Sequence, residues 1–233
     1  MKSGQLSLPV GTSKPLEFRN FEKQNYARGF QFIAGTDESG RGPLAGPVVA
    51  AAVILPRGFL HPEIKDSKLL SAQQREKLAP VIRQESVCWG VGIVEVDEID
   101  RINILQASLL AMVKALAALS SKPDCVLIDG NQPIPGPLLL RGKFPGGDSL
   151  YQKTIIKGDQ LCRSIAAASI LAKVARDNIM IELDKRFPEY GFASHKGYCC
   201  AVHFEALRRY GPSPIHRQSF APVRDALGQR DDR

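Results

Sequence analysis

Three short apolar runs in this chain end on carboxylates, and that arrangement constrains its fold more than any other feature. Phe32-Ile33-Ala34-Gly35-Thr36 reads as a strand leading into Asp37, and Cys125-Val126-Leu127-Ile128 as one ending at Asp129-Gly130. Thr154-Ile155-Ile156 reads as a third, ending at Lys157-Gly158-Asp159. Several acids at the strand ends of one sheet gather enough negative charge to bind two magnesium or manganese ions. Val48 to Leu55 follows a Gly/Pro-rich turn and reads as a buried, β-branched strand beside the first, and Val87 to Val94 supplies another.

The helices are read from periodicity. Ser71-Ala72-Gln73-Gln74 has the form of a capping box ahead of a helix through about Arg83. From Asp97 onward Ile102, Leu105, Leu109, Met112, Leu116 and Leu119 recur at helical spacing. Gln160 to Arg186 predicts a long helix, with Leu161, Ile165, Ala168, Ala172 and Ala175 on a face small enough for close packing. After Pro188 the chain turns to Gly, His, Tyr and Arg, with a helix around Val202 to Arg209 and a last segment from Phe220 to Leu227, a small helical appendage. Residues 1–28 show neither a period of 2 nor of 3.6 and are expected outside the core, and Asn131 to Tyr151 reads as a long Pro/Gly-rich loop.

At 233 residues, 44% hydrophobic and 24% charged, the chain is too apolar to be disordered and long enough for one main domain with an appendage. Its net charge of +7 favours a polyanionic partner. The five cysteines, Cys88, Cys125, Cys162, Cys199 and Cys200, include no C-x-x-C pair, which fits a reducing cytoplasm and argues against a zinc or disulfide framework. The longest apolar stretch, Pro47 to Leu55, is too short to span a bilayer, and Lys2, Gly4 and Gln5 stand where a signal peptide would need apolar residues. The expectation is a cytoplasmic protein.

Each candidate residue has an ordinary reading beside the chemical one. Asp37 and Glu38, in Asp37-Glu38-Ser39-Gly40-Arg41-Gly42, could form a solvated acidic turn. They can share a metal only if the chain turns between them or the second acid lies past the strand end, because neighbours on a strand point to opposite faces. The glycines that follow let bare amides approach a phosphate or hydroxyl. Asp129-Gly130 is a preferred turn dipeptide, and Asp159 suits a helix N-cap. His61, His195, His203 and His216 lack the spacing of a nucleophilic triad and are expected in surface or packing roles.

Taken in order, Asp37-Glu38-Ser39-Gly40-Arg41-Gly42, Asp66-Ser67-Lys68-Leu69-Leu70-Ser71, Asp129-Gly130-Asn131, Lys157-Gly158-Asp159, the helical string Ser164 to Asp177, and His195-Lys196-Gly197-Tyr198 resemble the ribonuclease HII family over roughly residues 31–225. The resemblance implies an α/β fold: a ribonuclease H-like core, a mixed five-stranded sheet flanked by helices, with a small helical C-terminal appendage. The chain then divides into an N-terminal extension (1–28), a catalytic core (29–187) and a helical C-terminal region (188–233). It implies Asp37, Glu38, Asp129 and Asp159 as catalytic carboxylates, with Asp37, Glu38 and Asp129 as metal ligands for a divalent ion, Mn or Mg, two during catalysis. Gly40, Arg41 and Gly42 would recognise a ribose 2′-hydroxyl through their backbone, and Tyr198 would pack against the sugar at an RNA-to-DNA junction. Ser67 and Lys68 are candidate phosphate contacts, with Lys157 and Arg176 behind them.

The activity so implied is hydrolysis of the RNA strand of RNA–DNA hybrids and cutting 5′ of single ribonucleotides embedded in duplex DNA, by a monomer. Thirty positions separate Asp129 from Asp159, longer than expected for many members, and Asp148 lies in the added stretch as a rival fourth carboxylate. Asp159 is preferred because it follows an apolar strand, whereas Asp148 stands in Gly147-Asp148-Ser149. The competing functions are a junction-resolvase-like nuclease of the same fold, a non-catalytic nucleic-acid-binding protein, and a metal-dependent phosphatase of small molecules. The tail Gly228 to Arg233 lacks apolar anchors for a pocket-docking peptide.

Overall fold

The computed structural model describes residues 18–64, 67–144 and 150–231, with side chains through Leu227. Five strands, β1 (Ile33–Ser39), β2 (Val48–Ile54), β3 (Cys88–Val94), β4 (Cys125–Asp129) and β5 (Tyr151–Ile155), form one sheet in the order β3-β2-β1-β4-β5. β2 pairs antiparallel with β1 and with β3, whereas β4 pairs parallel with β1 and with β5. This is the mixed five-stranded sheet that the motifs imply.

Alternation along β2 divides the core. Val48, Ala50, Ala52 and Ile54 face α3 (Val96–Ala117), packing with Leu109, Met112 and Leu116. Ala51 and Val53 face α6 (Arg163–Arg186) and α2 (Ala72–Glu85), packing with Ala166 to Ala168, Leu78 and Ile82. The alanines let α6 lie against the sheet so closely that a Cβ on Gly35 would come within 2.3 Å of the Ser164 backbone. On the other face a Cβ on Gly92 would meet the Ala111 carbonyl at 2.1 Å. Ser71 and Gln74 form both hydrogen bonds of the expected capping box at the start of α2.

The structure departs from the sequence reading in five places. The stretch expected outside the core contains α1 (Phe21–Ala27), whose Phe21 and Tyr26 pack against Cys125, Leu127 and Ile155. The helix expected from Asp97 is broken at Asn103 (φ 68°), whose Oδ1 accepts the amides of Leu105 and Gln106 and so caps the longer part. The Pro/Gly-rich loop includes a short helix, α4 (Gly136–Arg141). Gln160 to Arg186 is not continuous: α5 (Gly158–Leu161) ends at extended Cys162 before α6 begins. Asp159 accordingly lies within the first turn of α5, and Lys157, in the left-handed region at φ 57°, is the N-cap residue.

The C-terminal part contributes α7 (Phe192–His195), α8 (Ala201–Tyr210) and α9 (Ala221–Asp231). Leu207 and Val223 close over Leu44, and the Tyr190 hydroxyl donates to the Gly211 carbonyl at 2.6 Å. The segment between α8 and α9 returns to the core, where His216 bridges Ala45.

Candidate active site

The β1–β4 register sets Thr36 opposite Ile128, so Asp37 and Asp129 stand side by side at the ends of two parallel strands. β1 continues through Ser39 without a turn between the two acids, so the alternation expected of a strand holds. Asp37 is on the α6 side, 4% exposed, its carboxylate accepting the Glu38 amide at 2.7 Å and bonded to Ser169. Glu38 accepts from Arg41 Nη1 at 3.1 Å and also borders a recess against Leu105, Ser108 and Asp129. Asp129 is the shared neighbour: it lines that recess and also a larger cleft with Asp37 and Glu38.

The cleft encloses about 260 Å³, and four cationic side chains, Arg41, Lys68, Arg75 and Lys173, are among the residues that line it. α5 brings in the fourth acid. The Gly158 amide donates to Asp129 Oδ1 at 2.6 Å, and Asp159, 2% exposed, accepts from Lys68 Nζ at 2.9 Å. A Cβ on Gly158 would fall 2.6 Å from Ile165 and 3.2 Å from Asp129 Oδ1, so close approach of backbone to carboxylate requires glycine there.

The acids suppress one another's ionisation. Burial, then Glu38 and Asp129, hold Asp37 well above the usual carboxylate range. Burial raises Glu38 against the opposing pull of Arg41, and burial with Asp159 raises Asp129. Among the described residues no group of three His, Cys, Asp or Glu side chains is already arranged around a metal position; Glu38 and Asp159 are turned to Arg41 and Lys68 instead. The donor set nonetheless fits a hard divalent cation, since it offers only carboxylate oxygens whose mutual repulsion such an ion would relieve.

The candidate substrate contacts share the same cleft: Gly40, Arg41, Gly42, Ser67, Lys68 and Tyr198 all line it. Tyr198 is 43% exposed, and its ring lies beside Gly42. Ser67 is buried and shares a 2.7 Å hydrogen bond with Ser169, so it supports the floor under Asp37. Arg176, a candidate phosphate contact in the sequence, is instead fully buried and donates to the carbonyls of Pro47, Ala45 and Lys196. Lys157 remains exposed at the start of α5. Asp148 and Asp66 lie outside the described residues.

Sequence reasoning missed Ser169, Lys173, Arg75 and Arg217. Ser169 and Lys173 are one helical turn apart on α6, a spacing that was visible but had no strand to point at until the fold was known. Arg75 donates to the carbonyls of Ser67 and Leu70, and Lys173 pairs with Asp177 at 2.6 Å. His195 and His203 stack on each other and meet the Phe192 ring edge-on, and His216 meets it at a tilt, in the C-terminal core, the packing role expected of them.

The family model described as Ribonuclease HII matches residues 34–223. The chain is similar to the ribonuclease HII of Syntrophotalea carbinolica, 51% identical over 207 residues that cover 89% of this chain and 93% of that one. It is similar in structure to the ribonuclease H2 of Pyrococcus horikoshii OT3, with a TM-score of 0.70 and 28% identity over 87% of this chain and all of that one. A ribonuclease HII of Archaeoglobus fulgidus, solved as a complex with PCNA, gives a TM-score of 0.63 and 27% identity over 82% of this chain and 95% of that one.

Proposed function

The chain belongs to the ribonuclease HII family and is an endoribonuclease of RNA–DNA hybrids, and from that premise we propose that it also cuts on the 5′ side of a single ribonucleotide embedded in duplex DNA. The observation that carries this reading is the meeting, in one cleft, of Asp37, Glu38 and Asp129 with the Gly40–Gly42 turn and Tyr198. Carboxylates alone would suit any nuclease of this fold; the amides and the aromatic ring beside them suit a ribose.

Because Asp37 and Glu38 point to opposite faces of β1, each would reach a divalent ion, Mg or Mn, beside their shared neighbour Asp129, with Asp159 completing the acidic set. When two such ions are bound they supply an activated water and charge stabilisation for the departing 3′ oxygen. The chain's own groups do the rest. Gly158 N–H and Ser169 fix the rotamers of Asp129 and Asp37, so the ligands are oriented before substrate arrives. Arg41 and Lys68, at 3.1 and 2.9 Å from Glu38 and Asp159, stand where they can exchange those partners for phosphate oxygens. The Arg41 and Gly42 amides meet the 2′-hydroxyl, the atom that separates RNA from DNA. Tyr198 supports the adjoining sugar.

Among the described residues no helix is long and apolar enough to cross a membrane, and the proposed setting is the cytoplasm. The test is a metal titration on a labelled RNA–DNA hybrid with the wild type and with Asp37→Asn, Glu38→Gln and Asp129→Asn. Activity should need Mg or Mn, vanish with chelator, and fall in each variant by more than the roughly 100-fold that loss of a mere outer-shell partner costs. Full activity in chelator would overturn the assignment.

A further inference from the structure

Below the Gly40–Gly42 turn, on the side away from the cleft, lies a second buried arginine. Arg217, in the segment joining α8 to α9, is 0% exposed. Its guanidinium donates to the Gly40 carbonyl at 2.6 Å, the Arg41 carbonyl at 3.0 Å and the Gly46 carbonyl at 2.8 and 3.0 Å. Its own amide donates to Leu44 O at 2.8 Å. Burying a guanidinium against carbonyls alone is costly, and a neutral residue would fill the space at less expense. Its planar fork, however, can hold several carbonyls in fixed directions at once.

Those directions determine where the neighbouring amides point. In a trans peptide the C=O of one residue and the N–H of the next lie on opposite sides. With the Gly40 and Arg41 carbonyls drawn down onto Arg217, the N–H groups of Arg41 and Gly42 face the other way, toward the cleft that holds Asp37 and Tyr198. Among the described residues neither amide donates to another protein group. Arg176 completes the floor: a Cβ on Gly40 (φ +100°) would sit 2.1 Å from its Nε, and its Nη1 holds the Lys196 carbonyl at the base of the Tyr198 loop.

We propose that Arg217 is a positioning residue for sugar recognition, which sets the Arg41 and Gly42 amides toward the ribose 2′-hydroxyl and so gives the enzyme its preference for a ribonucleotide. This rests on the substrate reading above, and the experiment separates the two. Affinities are measured for a duplex carrying one ribonucleotide and for the same duplex all in DNA, with Ca in place of Mg so that the complex stays uncut. If the wild type shows no preference, the substrate reading itself fails.

Given a wild-type preference, Arg217→Lys and Arg217→Met, checked for a cooperative melt, should lose it by tenfold or more while the affinity for the all-DNA duplex stays within twofold. A folded variant with its preference intact, or one that loses affinity for both duplexes alike, overturns the proposal. The wild type supplies a readout that needs no variant. In amide NMR spectra the Arg41 and Gly42 signals should shift with the ribonucleotide duplex and much less with the all-DNA one; equal shifts would also overturn it.

Discussion

A carboxyl buried like Asp37 beside Glu38 and Asp129 costs the folded chain free energy whenever it ionises. Its folded pKa lies above the unfolded one, so the metal-free protein loses stability as pH rises past the ordinary carboxylate range. Asp37→Asn should therefore abolish cleavage yet raise the melting temperature of the metal-free protein at pH 7.5. One pKa unit is about 1.4 kcal/mol, or roughly 3–5 °C for a chain of this size; a lower melting temperature would contradict the mutual repulsion. His216 behaves in the opposite sense. Its Nδ1 accepts the Ser213 amide at 2.9 Å, so its Nε2–H must donate to His203 Nε2 at 3.0 Å, and His203 Nδ1–H then donates to the Tyr198 carbonyl at 3.0 Å. Burial and His203 pull His216 down to about 3. Stability is then fully present above its ordinary value of 6.5 and is lost on acidification from there toward pH 3, by up to about 1.4 kcal/mol per pH unit. Denaturant melts from pH 7.5 to 5 should show that slope in the wild type and a shallower one in His216→Gln. Activity should follow the acids: Asp159→Asn should lose cleavage, whereas Asp148→Asn should keep it, and the reverse result would exchange their roles.

At the scale of elements, α6 is the part on which the site depends, because it carries Ser169 and Lys173 to the cleft and Arg176 to its floor. Its first turn is capped from a distance. Glu22 of α1 accepts the Ser164 amide at 2.9 Å and the Ser164 hydroxyl at 3.0 Å, while Arg19 N donates to Leu161 O in α5. Glu22→Ala should cost about 1 kcal/mol, the usual loss for a cap, with Glu22→Gln restoring most of it; unchanged melting in Glu22→Ala would remove α1 from the account. Such a contact spans 142 positions and leaves no local signature, which is why residues 18–28 offered no period to read. Where the cause is local the reading succeeds, as at the Ser71–Gln74 capping box and at the short apolar strands that deliver Asp37 and Asp129. The breaks at Asn103 and Cys162 escape it because the apolar spacing continues across each of them. The acids were legible as a set through the ordered motifs; Arg217 was not, since its partners are carbonyls that any sequence possesses.

For the whole molecule, the surplus of +7 and the cations that line the acidic cleft make the same statement about the partner. The acids would repel a nucleic acid if unscreened, and Arg41, Lys68, Arg75 and Lys173 surround them. Binding to duplex should weaken at least tenfold between 50 and 200 mM salt, as counterion release requires when several phosphates are contacted; an affinity insensitive to salt would mean that the cationic cleft is not the binding surface. The helical C-terminal part belongs to the same unit, because Arg217 and Tyr198 reach the site from it. The most direct test of the account is cleavage of a labelled DNA duplex containing one ribonucleotide, beside an all-DNA control, with Mg, with Mn and with chelator. A metal-dependent cut on the 5′ side of the ribonucleotide, absent from the control, is the predicted result; cleavage of both duplexes, or of neither, would contradict it.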